Sequence, residues 1–167
     1  MLILITGGIK SGKSHRALEI AKSEWTFPVS FIATAEAMDE EMRCRIEKHR
    51  KEREDLAGNG FITIEEPLEL DEAITAAGSR VLVDCIPMWV NNLLYYRREK
   101  DFDRILEALL QNVKDCIVVT NETGMGNIPF DECTRRYNLL LAEANRRIAA
   151  AADRLELMVC GIPVRVK

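Results

Sequence analysis

The residues best suited to chemistry stand close to the start of the chain. Gly7-Gly8-Ile9-Lys10-Ser11-Gly12-Lys13-Ser14 fits the spacing G-x-x-x-x-G-K-[ST]. Glycines let the backbone curl until its N–H groups face a polyphosphate, and the start of a following helix adds partial positive charge. Lys13 is then placed to reach the terminal phosphates of a nucleoside triphosphate, and the Ser14 hydroxyl to join the shell of a Mg2+ ion. Asp84 closes the apolar run Val81-Leu82-Val83 and is the carboxylate expected to complete that metal site, directly or through water. Its neighbour Cys85 reads as packing.

The chain has two histidines. His15 follows the cradle directly and reads as a solvated or packing residue. His49 lies in a helical stretch with Arg45 at i−4 and Arg53 at i+4 on one face, and with Lys48 and Arg50 beside it. Neighbouring cations disfavour the imidazolium form, so a neutral ring with a nucleophilic lone pair is expected. The same cations suit triphosphate oxygens. A nucleotidyl-histidine intermediate would use both properties. Taken alone, these residues fit a solvated basic helix face better, with Glu47, Glu52 and Glu54 as ordinary salt-bridge partners.

Short apolar runs alternate with helix-period segments, which places these groups on parallel β-α-β units. Strands are expected at Leu2–Thr6, Val29–Thr34, Phe61–Ile64, Arg80–Cys85, Ile117–Thr120, Leu155–Cys160 and Val164–Val166. Helices are expected at Ser14–Ser23, Asp39–Asp55, Leu68–Ala77, Met88–Arg98, Phe102–Val113 and Asp131–Ala152, with Gly58-Asn59-Gly60 breaking the second and Gly78 ending the third. The fold class that follows is α/β: a P-loop NTPase-type open, mostly parallel sheet with helices on both faces. Its ligand loops would lie at the carboxyl ends of the strands. The pattern leaves the strand order open.

Composition bounds the function. The 167 residues show no compositional break, so residues 1–167 are expected to form a single nucleotide-binding domain. Hydrophobic residues make up 47% and charged residues 30%, with a net charge of −4, which argues against a broad attraction for nucleic acid. Five cysteines, none in a C-x-x-C pair, argue against a disulfide framework or a zinc knuckle, and most are expected to be small core residues. No apolar stretch reaches membrane-spanning length and no basic-then-apolar segment opens the chain, so a cytoplasmic location is expected.

Longer segments carry a resemblance. They are Thr6-Gly7-Gly8 with Ser11–Ser14, Phe31-Ile32-Ala33-Thr34-Ala35, Asp39-Glu40-Glu41-Met42, Arg45-Ile46 with His49, Val81–Cys85, Asn91–Leu94, Val119–Gly126, Asn145–Asp153 and Gly161-Ile162-Pro163. On these the chain resembles, nearly end to end, the bifunctional adenosylcobinamide kinase/adenosylcobinamide-phosphate guanylyltransferase family of cobalamin biosynthesis. The resemblance implies two reactions. ATP or GTP phosphorylates adenosylcobinamide, and GTP then gives GMP to adenosylcobinamide-phosphate through a histidine that matches His49, forming adenosylcobinamide-GDP and pyrophosphate. It implies nucleotide contacts at Gly7–Ser14, Ile32, Ala33, Thr34, Arg50, Lys51, Glu52, Arg53, Glu65 and Asp84, a catalytic role for Lys13, and a homotrimer. Family members commonly carry Arg-Pro-x-x-Trp after the histidine, whereas here Arg53 is followed by Glu54-Asp55-Leu56 and Gly58-Asn59-Gly60 is extra. The segment 120–126 reads either as a tight turn built on Gly124 and Gly126 or as a strand-end loop facing the nucleotide or corrinoid pocket.

Overall fold

The computed structural model describes the backbone of residues 1–167 and the side chains of all but Ala57 and Asn59. Seven strands form one sheet: β1 Leu2–Gly7, β2 Val29–Ala33, β3 Phe61–Glu65, β4 Val81–Asp84, β5 Cys116–Val119, β6 Arg154–Val159 and β7 Ile162–Arg165. Six α-helices alternate with them: α1 Lys13–Glu24, α2 Glu40–Ala57, α3 Leu70–Ala77, α4 Ile86–Tyr95, α5 Phe102–Asn112 and α6 Glu132–Ala151. The order across the sheet is β3-β2-β4-β5-β1-β6-β7. Every neighbouring pair is parallel except β6 and β7.

Continuous apolar runs make the central strands, because both of their faces are covered. Alternate residues point to opposite faces. Leu2, Leu4, Val81, Val83, Cys116 and Val118 pack against α3, α4, α5 and α6. Ile3, Ile5, Phe31, Leu82, Ile117 and Val119 pack against α1, with Leu56 of α2 at the margin. The expected open sheet with helices on both faces is therefore found. From β1 the chain passes through α1 to β2 on one side, and from β5 it passes through α6 to β6 on the other. The strand ends near β1 are thus where connections diverge, and that crevice is where such sheets place ligands.

Three local features differ from the sequence expectation. The last strand begins earlier and turns back antiparallel, because Cys160 (φ 50°) and Gly161 (φ 86°) form a left-handed turn between β6 and β7. Helix α4 begins at Ile86, with Pro87 in its first turn, where a missing N–H costs nothing. The cysteines are mostly not core residues: Cys44, Cys133 and Cys160 are exposed, on outer helix faces and in the hairpin turn, and only Cys116 is fully buried. Among the described residues, no helix is long and apolar enough to cross a membrane.

Candidate active site

The turn between β1 and α1 has the cradle geometry that its spacing requires. Gly7 (φ 146°) and Gly12 (φ 93°) occupy backbone conformations that L side chains rarely adopt. A Cβ at Gly7 would also stand 2.6 Å from the Met158 carbonyl oxygen and 2.9 Å from Ser11 Oγ. Helix α1 starts at Lys13, and the Arg16 N–H donates to the Gly12 oxygen at 2.9 Å. The first N–H groups of α1 are thereby left facing the loop. Lys13 is buried and its Nζ donates to the Gly8 carbonyl at 2.5 Å. Burial pushes this ammonium below the ordinary lysine value; Cys85 and Asp84 oppose that, and Arg45 adds to it. Ile9 and Lys10 form the exposed tip of the loop, and the buried Ser11 Oγ has no protein partner.

Asp84 sits at the carboxyl end of β4. Burial holds its carboxyl above the usual aspartate range; a hydrogen bond from the Ser14 hydroxyl opposes this most strongly, followed by the charges of His49, Arg53 and Lys13. Groups from two helices thus act on one strand-end carboxylate. Ser14 and Lys13 come from α1, while His49 and Arg53 come from α2. Two hard oxygen donors side by side, one a desolvated carboxylate lacking full compensation, suit a small divalent cation. Among the described residues, no group of three or more His, Cys, Asp or Glu side chains could hold a metal unaided. A cation here would draw most of its shell from phosphate and water, which is usual for Mg2+.

Helix α2 begins with an Asp39 cap whose carboxylate accepts from the Met42 N–H at 2.7 Å. Its i, i+4 face carries Arg45, His49 and Arg53, which pass from exposed through half-buried to buried; the charge of Arg45 acts on Lys13, and those of His49 and Arg53 act on Asp84. Arg53 is buried, with its guanidinium carbon 4.0 Å from the centre of the Phe31 ring. Desolvation lowers its pKa, while Asp84 raises it. His15, by contrast, is exposed and 3.2 Å from Glu19, as expected for a solvated residue.

Between the end of α2 and β3 lies a cavity of about 440 Å³ lined by Arg50, Arg53, Glu54, Gly58, Phe61, Thr63 and Glu65. Arg50 and Glu65 pair across its rim at 2.5 Å. Such a volume accommodates a nucleoside, and cation and carboxylate together suit a polar base and its phosphate. Lys51 and Glu52 are exposed and do not line this cavity; Glu52 lies 3.9 Å from Lys48. Ile32 is wholly in the core and Ala33 is half-buried. Thr34 is also buried: its hydroxyl donates to the Cys85 oxygen at 2.7 Å and accepts from the Cys85 N–H at 2.9 Å. It latches the exit of β2 to the residue after Asp84.

Sequence reasoning missed this latch, the Arg53–Phe31 stack and the electrostatic influence of His49 on Asp84. All three join residues distant in the chain. The one available signal was the i, i+4 face of α2 itself. The 120–126 segment is tied to the cradle, because the Glu122 N–H donates to the Gly7 oxygen at 3.2 Å. Asn145 of α6 supports it, accepting from the Thr120 hydroxyl at 2.6 Å and donating to the Asn121 oxygen at 2.8 Å.

Comparisons with known proteins bear on the chain as a whole. Residues 3–166 match the family described as cobinamide kinase / cobinamide phosphate guanyltransferase. The bifunctional adenosylcobalamin biosynthesis protein CobP of Pseudomonas aeruginosa is 39% identical over 171 residues, covering 98% of this chain and 96% of its own. The bifunctional adenosylcobalamin biosynthesis protein CobU of Escherichia coli is 34% identical over 187 residues, covering 100% of both. Among solved structures, a KaiC-like protein of Pyrococcus horikoshii superposes with a TM-score of 0.52 at 18% identity, over 93% of this chain and 69% of its own, a likeness of fold alone. With its end-to-end match and a nucleotide cradle facing a histidine helix, the chain belongs to the cobinamide kinase / cobinamide phosphate guanyltransferase family of transferases.

Proposed function

We propose that this chain phosphorylates adenosylcobinamide and then guanylylates the product, with residues 1–167 acting as one nucleotide-binding domain. The observation that carries the reading is the convergence of Lys13, Ser14, His49 and Arg53 on Asp84. A phosphate cradle and a nucleophile on separate elements share one neighbour, so a triphosphate bound at the cradle lies within reach of both kinds of chemistry.

In the kinase step the acceptor hydroxyl oxygen of adenosylcobinamide forms a bond to the γ-phosphorus of ATP or GTP. The bond to the β,γ-bridging oxygen breaks, the nucleoside diphosphate leaves, and the hydroxyl proton passes to solvent or a base. The chain's contribution is positioning and charge: Gly7–Ser14 supply N–H donors and Lys13 meets the charge on the transferred group. In the transferase step the lone pair of a His49 nitrogen attacks the α-phosphorus of GTP and pyrophosphate leaves. A phosphate oxygen of adenosylcobinamide-phosphate then displaces the histidine, giving adenosylcobinamide-GDP. Arg45 and Arg53 flank that attack as fixed cations, and Arg50 and Glu65 border the cavity for the nucleoside. Ser14 and Asp84 would hold Mg2+, which when bound neutralises phosphate charge. The assembly is proposed to be a homotrimer in the cytoplasm.

GTP labelled at the α-phosphate is the direct test. Acid-labile label on His49 that is absent from His49→Ala supports the nucleotidyl-histidine step, and equal label on the variant removes it. Mass spectrometry of the corrinoid product separates full bifunctionality from a chain that only phosphorylates.

A further inference from the structure

Between β5 and α6, residues 120–131 carry three large apolar side chains in solvent: Met125 is 80% exposed, Ile128 86% and Phe130 100%. The loop that displays them is held at several points. At its base it is bonded to Gly7 and to Asn145, as described above, and the Gly124 N–H donates to Glu122 Oε1 at 2.6 Å. At its far end Arg135 donates to the Pro129 oxygen at 3.1 Å and to the Phe130 oxygen, and Asp131 caps α6 through the Thr134 N–H at 2.7 Å. A loop anchored at both ends while presenting a fully exposed phenyl ring beside its second anchor is organised for contact with something apolar.

We infer that Met125, Ile128 and Phe130 form the platform for the corrinoid acceptor, holding its ring while the hydroxyl or phosphate arm reaches the cradle. The inference rests on the function proposed above. Place supports it first: β5 lies between β1, which leads into the cradle, and β4, which ends at Asp84. Direction supports it next. The cavity suited to the nucleoside lies towards β3, on one side of the cradle, which leaves the β5–α6 side open to the acceptor. Size supports it last. A corrin macrocycle with its amide arms exceeds the 440 Å³ cavity, so it needs an open surface, and its broad apolar faces match exposed apolar side chains.

The test is the double variant Ile128→Ser/Phe130→Ala in the full chain, both positions being exposed and outside the core. The KM for cobinamide in the kinase assay is expected to rise roughly tenfold, with the KM for GTP moving less than about twofold. Equilibrium dialysis with cobinamide is expected to show the same weakening, and Phe130→Leu to restore most of it. Unchanged cobinamide binding in the double variant overturns the inference. So does a fall in sedimenting mass with the cobinamide KM unchanged, which would make this face a contact between copies of the chain. Wild-type protein that binds cobinamide but transfers nothing to it overturns the proposed function while leaving the platform in place. Wild-type protein that binds no cobinamide overturns both.

Discussion

Helices α1 and α2 bring the two halves of the candidate site together, and they are fastened by different forces. Helix α1 buries Ala17, Leu18, Ile20 and Ala21 against the sheet. Among the described residues of α2 only Arg53 is buried, while Met42, Ile46 and Leu56 are half-buried. Apolar burial fixes the first helix; an arginine over a phenyl ring and an exposed ion pair fix the second. Burying an aliphatic side chain is worth about 1.5–3 kcal/mol, against about 0–1 kcal/mol for an exposed pair. Changes around α1 should therefore disturb fold and chemistry together, whereas changes on α2 should disturb chemistry alone.

The sharpest way to break that contrast is His49→Ala. Covalent labelling by GTP should disappear and GMP transfer should fall by roughly 10³-fold or more. The stability change should stay within about 0.5 kcal/mol, since the residue is half-buried on a helix without core anchors. A variant that melts several degrees lower would show that α2 depends on this side chain for its position. Gly7→Ala is the counterpart on the other helix. Its Cβ meets backbone and side-chain atoms at under 3 Å with φ at 146°, so it should cost about 2–4 kcal/mol in denaturant unfolding and abolish nucleotide binding. Normal stability in this variant would mean that the cradle backbone can shift, and α1 with it.

Arg53→Met tests whether α2 is held by charge or by shape. Methionine keeps an apolar stem over Phe31 and removes a desolvated cation, so stability should change by less than about 1 kcal/mol. GMP transfer should slow roughly tenfold, because Asp84 and the triphosphate lose a neighbouring cation. Paired measurements of melting and labelling decide it. A large loss of stability would move Arg53 from the chemistry to the scaffold.

The same contrast explains what could be read beforehand. The alternation of apolar runs and helical segments marks every strand and helix; burial on both faces imposes it on β1, β2, β4 and β5, while β3 and the antiparallel β7 are short, more exposed edge strands. The cradle is legible because its chemistry is made by backbone, and glycine spacing dictates backbone. His49 is different. Its i, i+4 arginines are visible, but a solvated basic face has the same pattern, and it is the meeting of α2 with Asp84 that favours the proposed site. That meeting joins residues 35 positions apart, and the Thr34–Cys85 latch joins residues 51 apart. No local pattern encodes either. The family resemblance, carried by whole segments, supplied what periodicity did not.

The smallest expected effects lie in ion pairs, the first of them in the opening turn of α1. Arg16 there donates to Glu156 of β6 at 2.8 Å and 3.2 Å, and Arg154 donates from the other side at 2.9 Å. The hydrogen bond from Arg16 holds the Glu156 carboxyl below the ordinary glutamate range against the effect of burial, with Arg154 assisting. A carboxyl depressed in the folded chain stabilises it fully above the unfolded value of about 4.3 and loses that contribution as pH falls through the lower folded value. Glu156→Gln should therefore flatten the dependence of stability on pH below about 4.3. At neutral pH it should cost about 1–2 kcal/mol, near the lower end for charged hydrogen bonds, because Arg16 retains Glu19 and Arg154 retains Glu24. Breaking Arg50–Glu65 on α2 with Glu65→Gln should cost less than about 1 kcal/mol, since both partners are exposed. Urea titrations of both variants between pH 3 and 7 would rank the two fastenings. Equal costs would mean that α2 is anchored as firmly as α1.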